Sequence, residues 1–447
     1  MKKWLPISIT AIILLFFTVY MTFFLNTSSS QHIDRGSKHK VLHQFKLTFW
    51  RNSGTQAENQ AYKDLVTSFE VSHPNISINM QSIPYSDYEL KLRTQIAAGN
   101  PPDMMTIDSP NLALYANAGS LLSIDQYMRK EGRIGDIPKA TLDGLSFKGK
   151  IYLAPIVESS IALYYNIHLF EEAGIPLPPK DPNKPLTWNE VLKIAQKINN
   201  PKKGIYGIDP AQGFGDGESP AYFKIPFLWQ FGAQVLSPDG TTASGYLDSK
   251  EALETLQFYQ DLYKKYGVAQ VDLPPAPFEN GKLAMTVLGS WTLDEIVKNN
   301  PNLKLGVDFG VAPLPMEKEQ VVSNGGWALG ISSKTQYPKE AWEFIKYVTS
   351  YDGIKKYVKE TGDIPARSSV AKDMPEFNQY PKNIFFEQVQ KYSMHRPVTP
   401  AYPVVSNAIK VLFEEVGIGG KDVSSSAEEA VLKINTGLKQ IKNTINN

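Results

Sequence analysis

Glu158 is the residue of this chain whose surroundings most strongly suggest a chemical role. It interrupts an apolar run, Gly149 to Asn166, that is rich in β-branched and aromatic residues. Such short runs are typical of strands that are covered on both faces. A charge inside one costs free energy unless it is paired. Either Glu158 ends a strand and faces water, or it belongs to a site, and the run alone leaves both interpretations open.

Three other predicted strand ends carry similar residues. Trp50 ends one strand and is followed by Ser53, Asp108 ends another, and Trp291 follows a third. Ligands of open parallel sheets bind beyond the carboxyl ends of the strands. An indole packs against the C–H face of a sugar ring, and carboxylates accept hydrogen bonds from its hydroxyls. The set indicates a carbohydrate site, although each tryptophan also fits core packing and Asp108 also fits a helix N-cap.

Composition excludes several other kinds of chemistry. The 447 residues include no cysteine, and the six histidines are scattered, so neither a thiolate site nor an HExxH zinc site is expected. A formal net charge of +1 gives no electrostatic basis for binding nucleic acid. We therefore expect no metal, no cofactor and no nucleic-acid partner.

The elements that must position these residues alternate along the chain. Strands are predicted at 45–50, 76–80 and 104–107, with an amphipathic helix after each of the first two, and this order predicts a mostly parallel sheet with helices on its faces. The length favours two domains. Further helices are predicted at 188–198, 249–266, 293–299 and 339–349, and further strands at 283–288 and 327–331.

The segment 213–220, GFGDGESP, contains closely spaced glycines that resemble a phosphate-binding loop. No strand is expected to lead into it, and no helix is expected directly after it. Since a phosphate cradle needs both, the segment is predicted to be a surface loop.

The N-terminus is predicted to be a membrane anchor or signal segment, residues 1–25. Lys2 and Lys3 precede an uncharged apolar run from Trp4 to Leu25. As a helix this run would span about 33 Å, against a hydrocarbon core of roughly 30 Å. The lysines place its start inside the cell, and its length favours an uncleaved anchor over a cleaved peptide. Residues 26–44 are predicted to be a flexible spacer.

Several segments together resemble a known family. GKIYLAPIVESSIALYYNIHLFEEAGI followed by LTWNEVLKIAQKI is similar to the extracellular solute-binding proteins of ABC sugar importers, of the maltose-binding-like type. LTFWRNSG, NGKLAMTVLGSWTL, NGGWALGISS, TGDIPARSSV and RPVTPAYPVVSNAI match the same pattern in order. The resemblance covers nearly all of 45–445.

The resemblance implies a two-lobed α/β fold of the type II periplasmic-binding-protein kind, with a ligand cleft between the lobes. Each lobe would be a mostly parallel sheet flanked by helices. Lobe 1 would comprise 45–155 with 316–363 returning to it, and lobe 2 would comprise 156–315 with 364–447 returning to it.

The resemblance also implies which residues contact the ligand. Glu158 would lie where the chain crosses between lobes, as a hydroxyl acceptor that is not buried unpaired. Gly326 would allow close backbone approach beside Trp327, and Arg367 resembles a cleft arginine but fits a hinge salt bridge equally well. The expected ligand-binding residues are Trp50, Ser53, Asp108, Glu158, Trp291, Gly326, Trp327 and Arg367.

The implied function is binding of a sugar or oligosaccharide outside the cytoplasm and its delivery to an ABC importer, by hinge closure of a monomer. The protein would lie on the outer face of the membrane of a Gram-positive bacterium or be secreted from it. Many Gram-positive members carry a lipidated cysteine that is absent here, and the 4–25 run would replace that anchor. The alternatives are a secreted glycoside hydrolase using Asp108 and Glu158, and the same fold binding an amine, a peptide or an anion.

Overall fold

The computed structural model describes residues 44–210 and 217–446. The predicted membrane segment, and the predicted spacer up to residue 43, lie outside these residues. Among the helices that are described, none is both long enough and apolar enough to cross a membrane.

The strands of the described residues are mostly short, and several pair only locally. They are β1 Phe45–Ser53, β2 Ile76–Pro84, β3 Met104–Asp108, β4 Ser146–Phe147, β5 Lys150–Ile151, β6 Leu153–Pro155, β7 Val157–Glu158, β8 Ile161–Asn166, β9 Tyr206–Asp209, β10 Leu283–Gly289, β11 Phe309–Ala312, β12 Val322–Ser323, β13 Trp327–Ile331, β14 Ile364–Pro365 and β15 Ser393–Met394.

The α-helices of the same residues pack around these strands. They are α1 Gln56–Ser72, α2 Tyr85–Ala97, α3 Leu112–Asn117, α4 Asp125–Glu131, α5 Lys139–Gly144, α6 Ile167–Glu172, α7 Trp188–Ile198, α8 Ser219–Gln230, α9 Lys250–Lys264, α10 Thr292–Asn299, α11 Pro338–Val348, α12 Tyr351–Thr361, α13 Ser368–Lys372, α14 Lys382–Tyr392, α15 Tyr402–Phe413 and α16 Val423–Asn446.

Two larger sheets organise the fold, and both are mixed. The first has the order β2-β1-β3-β13-β6 and the second the order β11-β8-β10-β9. In the first sheet β13 runs antiparallel to both of its neighbours, and in the second β8 does so. The prediction of mostly parallel pairing is corrected. The chain enters β8 and β13 from the other sheet, so neither strand is joined to a neighbouring strand by the helical crossover that parallel pairing requires.

The chain passes between the two sheets more than once. It leaves the first sheet after β6 and enters the second at β8, and it returns between β11 and β13. Near the first passage, β7 pairs with β14 in a separate two-stranded sheet. These passages bring the ends of both sheets toward one region, while the lobe limits given above remain a prediction.

Local sequence explains the elements that matter for the site. β8 is buried at all six positions, as its continuous apolar run predicts. In β1 the alternating Leu47 and Phe49 are fully buried, and Phe344 of α11 packs against Phe49 with ring centroids 5.4 Å apart. α7 begins at a capping box formed by Thr187 and Glu190.

The surroundings predicted for the 213–220 segment are wrong. β9 ends four residues before the segment, at Asp209, and α8 begins inside it at Ser219. Pro220 lies in the first turn of α8, where proline is favoured because its missing N–H would be unpaired in any case. The segment therefore contains the start of a buried helix, and its residues 213–216 lie outside the described part.

Candidate functional site

A cavity of about 420 Å³ lies where the strand ends of both sheets approach each other. The ends of β1, β3 and β10, the start of β13 and the strand β7 all contribute to its wall. The lining residues are Asn52, Ser53, Gly54, Thr55, Glu58, Tyr85, Asp108, Val157, Glu158, Ser159, Glu218, Ser219, Tyr222, Trp291, Glu295, Gly326, Trp327, Asp363 and Arg396.

Most of the residues expected from the sequence meet on this wall, although they are far apart in the chain. Six of the eight line the cavity: Ser53, Asp108, Glu158, Trp291, Gly326 and Trp327. Their roles as ligand contacts remain a prediction.

Trp50 and Arg367 are not among the residues that line the cavity, and this part of the prediction is corrected. Trp50 lies two residues deeper in β1 than Asn52, and its indole packs against the core beside Tyr88. Side chains two residues apart in a strand lie on the same face of the sheet. On this face, Asn52 lies at the cavity and Trp50 lies farther from it, against the core.

Arg367 donates hydrogen bonds to backbone carbonyls. It is 4% exposed, and it donates from Nε to the Thr349 carbonyl at 2.7 Å and from Nη2 to the Gly132 carbonyl at 2.9 Å. Its guanidinium also lies 3.7 Å from Asp136. These contacts agree with a structural salt bridge, the second interpretation of Arg367.

Glu158 lies on the cavity wall but is more deeply buried than expected. It is 3% exposed, and its Oε2 has no hydrogen-bond partner among the described residues. Burial raises the pKa of Glu158 to about 8, and the nearby Thr141 hydroxyl and Gly325 backbone offset this only in part. At neutral pH the carboxyl is therefore mainly protonated, and the expectation that it avoids unpaired burial is wrong.

The close backbone approach expected at Gly326 is present. A Cβ on Gly326 would lie 2.3 Å from the Val157 carbonyl oxygen. Next to it, the Gly325 carbonyl accepts hydrogen bonds from the Ser159 backbone N–H at 2.6 Å and the Ser159 hydroxyl at 2.9 Å. The segment before β13 can thus lie against β7 because Gly326 lacks a side chain.

Arg396 is a site residue that was not selected from the sequence. It is 3% exposed and donates from Nη1 to Glu218 at 2.6 Å and from Nη2 to Asp108 at 3.0 Å. Its guanidinium lies over the Tyr222 ring, 4.9 Å from the centroid. Arg396 opens the RPVTPAYP segment, so the motif was noticed without its arginine being assigned a role.

Glu218 was also missed, because its segment was interpreted as a surface loop. Besides Arg396, it accepts hydrogen bonds from the Ser406 hydroxyl at 2.5 Å and from the Tyr402 hydroxyl. Burial raises the pKa of Glu218, and Arg396 opposes that rise. Asp108, Arg396 and Glu218 therefore form one buried network along the cavity.

Asp363 and Glu58 form a second acidic region of the wall. Asp363 is 8% exposed, and burial, followed by the charge of Glu58, raises its pKa to about 8. Glu58 accepts a hydrogen bond from the Thr55 backbone N–H at 2.6 Å, and the Tyr357 hydroxyl donates to it at 3.4 Å. The charge of Glu58 thus disfavours the ionisation of Asp363.

The two tryptophans of the wall are held by other aromatic rings. Trp327 makes edge contacts with Tyr85 and Tyr88, with centroids 6.1 and 5.5 Å apart. Trp291 contacts Tyr222 at 5.8 Å. Since both indoles remain half-buried, each keeps surface available for stacking on a ligand ring.

The arrangement is suited to binding a polar ring-shaped molecule. Indole faces, carboxyls, hydroxyls and one guanidinium converge on one cavity, and no group of three or more His, Cys, Asp or Glu side chains within 44–210 and 217–446 could hold a metal ion.

An α/β fold of two mixed sheets that share one aromatic and polar cavity defines a binding protein. The chain belongs to the family of bacterial extracellular solute-binding proteins, whose sequence pattern matches residues 53–355. Membership confirms that this is an extracytoplasmic solute-binding protein, as predicted, and not a glycoside hydrolase.

Individual relatives agree over most of the chain. A maltotriose-binding protein of Pyrococcus abyssi is 26% identical over 402 residues, which cover 87% of this chain and 80% of the relative. A multiple sugar-binding protein of Streptococcus mutans is 25% identical over 324 residues, 70% of this chain and 73% of the relative. The crystal structure of an ABC transporter solute-binding protein from Thermotoga lettingae, bound to α-D-tagatose, superposes with a TM-score of 0.76 at 28% identity, over 88% of this chain and all of that one.

Arg367→Ala should destabilise the protein without changing how the folded protein binds its ligand. It leaves the carbonyls of Thr349 and Gly132 buried without a donor, at a cost of about 2–4 kcal/mol in the free energy of unfolding. Urea unfolding measures the loss, and calorimetry of the folded variant measures affinity. Arg129→Ala, which removes an exposed arginine that pairs with Asp125, is the control and should change neither. A large loss of affinity with normal stability in Arg367→Ala would return Arg367 to the ligand site.

Stability should fall as pH rises through the range in which Glu158 and Asp363 titrate. Their folded pKa values of about 8 lie above the ordinary values of 4.5 and 3.8, so between these limits the folded state binds more protons than the unfolded state. From pH 5 to pH 8 we expect the free energy of unfolding to fall by on the order of 2 kcal/mol or more.

The double variant Glu158→Gln, Asp363→Asn should lose most of this dependence, while the exposed Glu295→Gln should keep it. Urea titrations at pH 5, 6, 7 and 8 give the slopes. Equal slopes in the wild type and the double variant would mean that both carboxyls are ionised in the folded protein.

Proposed function

We propose that this protein binds a sugar or oligosaccharide outside the cytoplasm and delivers it to an ABC importer. The observation that carries the proposal is the cavity in which Trp291 and Trp327 lie together with several carboxyls. Its volume of about 420 Å³ falls within the range of roughly 300–1,000 Å³ typical of small-molecule sites. The names of the relatives, which specify maltotriose, several sugars and tagatose, support the same class of ligand.

In this proposal the wall residues divide into apolar and polar contacts. The faces of Trp291 and Trp327 stack on sugar rings, and Asp108 and Ser53 exchange hydrogen bonds with hydroxyls. Glu158, protonated at neutral pH, both donates and accepts. Gly326 keeps the wall open beside Trp327.

We propose further that the two sheets belong to two lobes that close on the ligand. Lobe 1 comprises 45–155 and 316–363, and lobe 2 comprises 156–315 and 364–447. The cavity is lined from both sheets, so a ligand that contacts both stabilises the closed arrangement and selects it. The passages near β7 and between β11 and β13 are where such a hinge would bend.

The remaining partners follow from this function. We propose that a membrane permease of an ABC importer receives the ligand, that the protein acts as a monomer, and that residues 1–25 attach it to the outer face of the membrane of a Gram-positive cell. Family membership supports the extracellular place of action.

Loss of either cavity indole should weaken sugar binding strongly. Trp291→Ala and Trp327→Ala should each lower affinity at least tenfold, because a stacked, desolvated aromatic residue contributes about 2 kcal/mol or more. A thermal-shift screen against a carbohydrate panel identifies the ligand, and calorimetry then compares the variants. Tyr337→Ala, which removes a ring that is 38% exposed and absent from the cavity wall, is the control. Wild-type affinity in both tryptophan variants would refute the stacking role.

The N-terminal segment should hold the protein on the membrane. The full-length chain expressed in a Gram-positive host should sediment with membranes and remain there after high-salt and carbonate washing, because a spanning apolar helix resists both. A chain that carries a cleavable signal peptide before residue 44 should be recovered in the medium. If the full-length chain is instead recovered shortened and soluble, the segment is a cleaved signal peptide.

A further inference from the structure

A buried glutamine of α14 contacts the start of β8. Gln388 is 1% exposed, and the other buried residues of α14, Ile384, Phe385 and Val389, are apolar. A buried amide costs free energy unless its donor and acceptor groups are satisfied. The groups that satisfy the Gln388 amide therefore show what this residue holds in place.

The Gln388 amide joins β8 to the segment that follows β11. Its Oε1 accepts a hydrogen bond from the Leu314 backbone N–H at 2.8 Å. Its Nε2 donates to the Ile161 carbonyl at 3.0 Å and to the Ser160 hydroxyl at 3.2 Å. Leu314 lies two residues beyond β11, and Ile161 is the first residue of β8. All three contacts are therefore made where these two strands stop pairing directly.

The amide takes the place of a direct contact between the two strands. They run antiparallel, and their pairing ends with Ala312 opposite Leu163. If the pairing continued for two more residues, Leu314 would lie opposite Ile161. Gln388 instead accepts from the N–H of the first and donates to the carbonyl of the second, as a peptide group of a neighbouring strand would. Its side chain thus holds the start of β8 at a fixed distance from the segment after β11.

On its other side, the start of β8 is joined to the residue that follows β10. The Ser290 N–H donates to the Ser160 carbonyl at 2.8 Å, and the Ser160 N–H donates to the Ser290 hydroxyl at 3.5 Å. These contacts continue the antiparallel pairing of β10 with β8. The next residue in the chain, Trp291, lines the cavity. Ser160 is therefore bonded to Gln388 through its side chain and to the residue before Trp291 through its backbone.

The indole of Trp291 lies against the end of β10. A Cβ on Gly289 would lie 2.4 Å from the Trp291 ring, so the ring is packed directly on the backbone of that strand. Its position must therefore follow the position of the strand end, which Ser160 holds. The groups of a binding site must lie within roughly 0.5 Å of their productive geometry, so a small shift of this strand end is enough to affect stacking.

Loss of the amide would cause such a shift. Without Gln388, the Leu314 N–H and the Ile161 carbonyl are left buried without partners, which costs free energy. The two groups can recover that cost by bonding to each other or to water. Either change moves the start of β8 relative to the segment after β11.

We propose that Gln388 is a positioning residue of the ligand site, which fixes the start of β8 and, through Ser160 and Ser290, sets the position of the Trp291 indole. The inference rests on the proposed function, in which that indole stacks on a sugar ring. Gln388 is not among the residues that line the cavity, so its effect on the ligand passes through the wall.

The first test measures affinity after the amide has been removed. Calorimetry on the full-length protein identifies which of glucose, galactose, mannose, maltose, maltotriose and D-tagatose the wild type binds most tightly. Gln388→Met removes the amide while keeping a side chain of similar length. It should lower the affinity for that sugar by roughly fivefold or more, because residues that share one hydrogen-bond network are coupled in energy.

A double-mutant cycle shows whether this effect passes through Trp291. In the Trp291→Ala background, Gln388→Met should lower the affinity by less than about twofold further, because the indole that it positions is absent. In the Trp327→Ala background, Gln388→Met should keep its full effect, because Trp327 belongs to β13 of the first sheet.

Gln230→Met is the matched control for an effect on stability alone. Gln230 is also 1% exposed. Its amide accepts from Trp188 Nε1 at 2.6 Å and donates to the Val321 carbonyl at 3.1 Å, and neither partner is among the residues that line the cavity. Both glutamine variants should lower the midpoint of urea unfolding, but Gln230→Met should leave the affinity unchanged.

A spectroscopic measurement follows the indole directly. In protein that contains 5-fluorotryptophan, the ¹⁹F resonance of Trp291 is assigned by its loss in Trp291→Phe. It should move in Gln388→Met and stay in place in Gln230→Met. Ser160→Ala removes only the hydroxyl that Gln388 bonds and keeps the backbone contacts with Ser290. It should move the same resonance, and it carries the test where Gln388→Met does not fold.

The outcomes separate the inference from the proposed function. Wild-type affinity in Gln388→Met overturns the inference and leaves the proposed function standing. So does a Trp291 resonance that stays in place in Gln388→Met, or in Ser160→Ala where the first variant does not fold. A further loss of about fivefold or more in the Trp291→Ala background has the same meaning. Failure of every sugar in the panel to bind overturns the proposed function and the inference together.

Discussion

The buried ion pairs of Arg396 fix the arrangement on which the site depends. One guanidinium joins Asp108, at the end of β3 in the first sheet, to Glu218, at the start of the helix α8 that packs on the second. Buried charges cost several kcal/mol unless they are paired, so these ion pairs favour the arrangement in which the strand end and the helix start lie together. The same pairing offsets the negative charges of Asp108 and Glu218 at the cavity wall.

Local patterns predicted several of the longer elements of the fold. α7 has the predicted limits because Thr187 starts it and because its apolar residues recur with helical period. β13, predicted at 327–331, has the same limits in the structure. What these patterns do not contain is strand direction. An apolar run gives the same signal in either orientation, and so the reversed strands β8 and β13 could be found only from the pairing of the whole chain.

Some site residues could be identified from the sequence because their type and position indicate their role. Others could not, because their role depends on which residues they contact in the folded protein. Trp291 and Glu158 follow from their type and from their position at strand ends, and Trp327 follows from the family resemblance. Arg396 does not, because its carboxylate partners are 178 and 288 residues away in sequence. Arg367 shows the converse. Its guanidinium suggested a ligand contact, whereas its hydrogen-bond partners are backbone carbonyls. No sequence pattern shows which backbone carbonyls need a side-chain donor.

The position of β13 has a consequence for the order in which the molecule can assemble. It lies between β3 and β6 in the first sheet, yet it is synthesised long after both. Until residue 331 has emerged, β3 and β6 each present an unpaired edge, and such edges invite pairing with other chains. The first sheet therefore closes late, through contacts of long range that form slowly. A chain that remains open for most of its synthesis is one that can be threaded across a membrane before it folds.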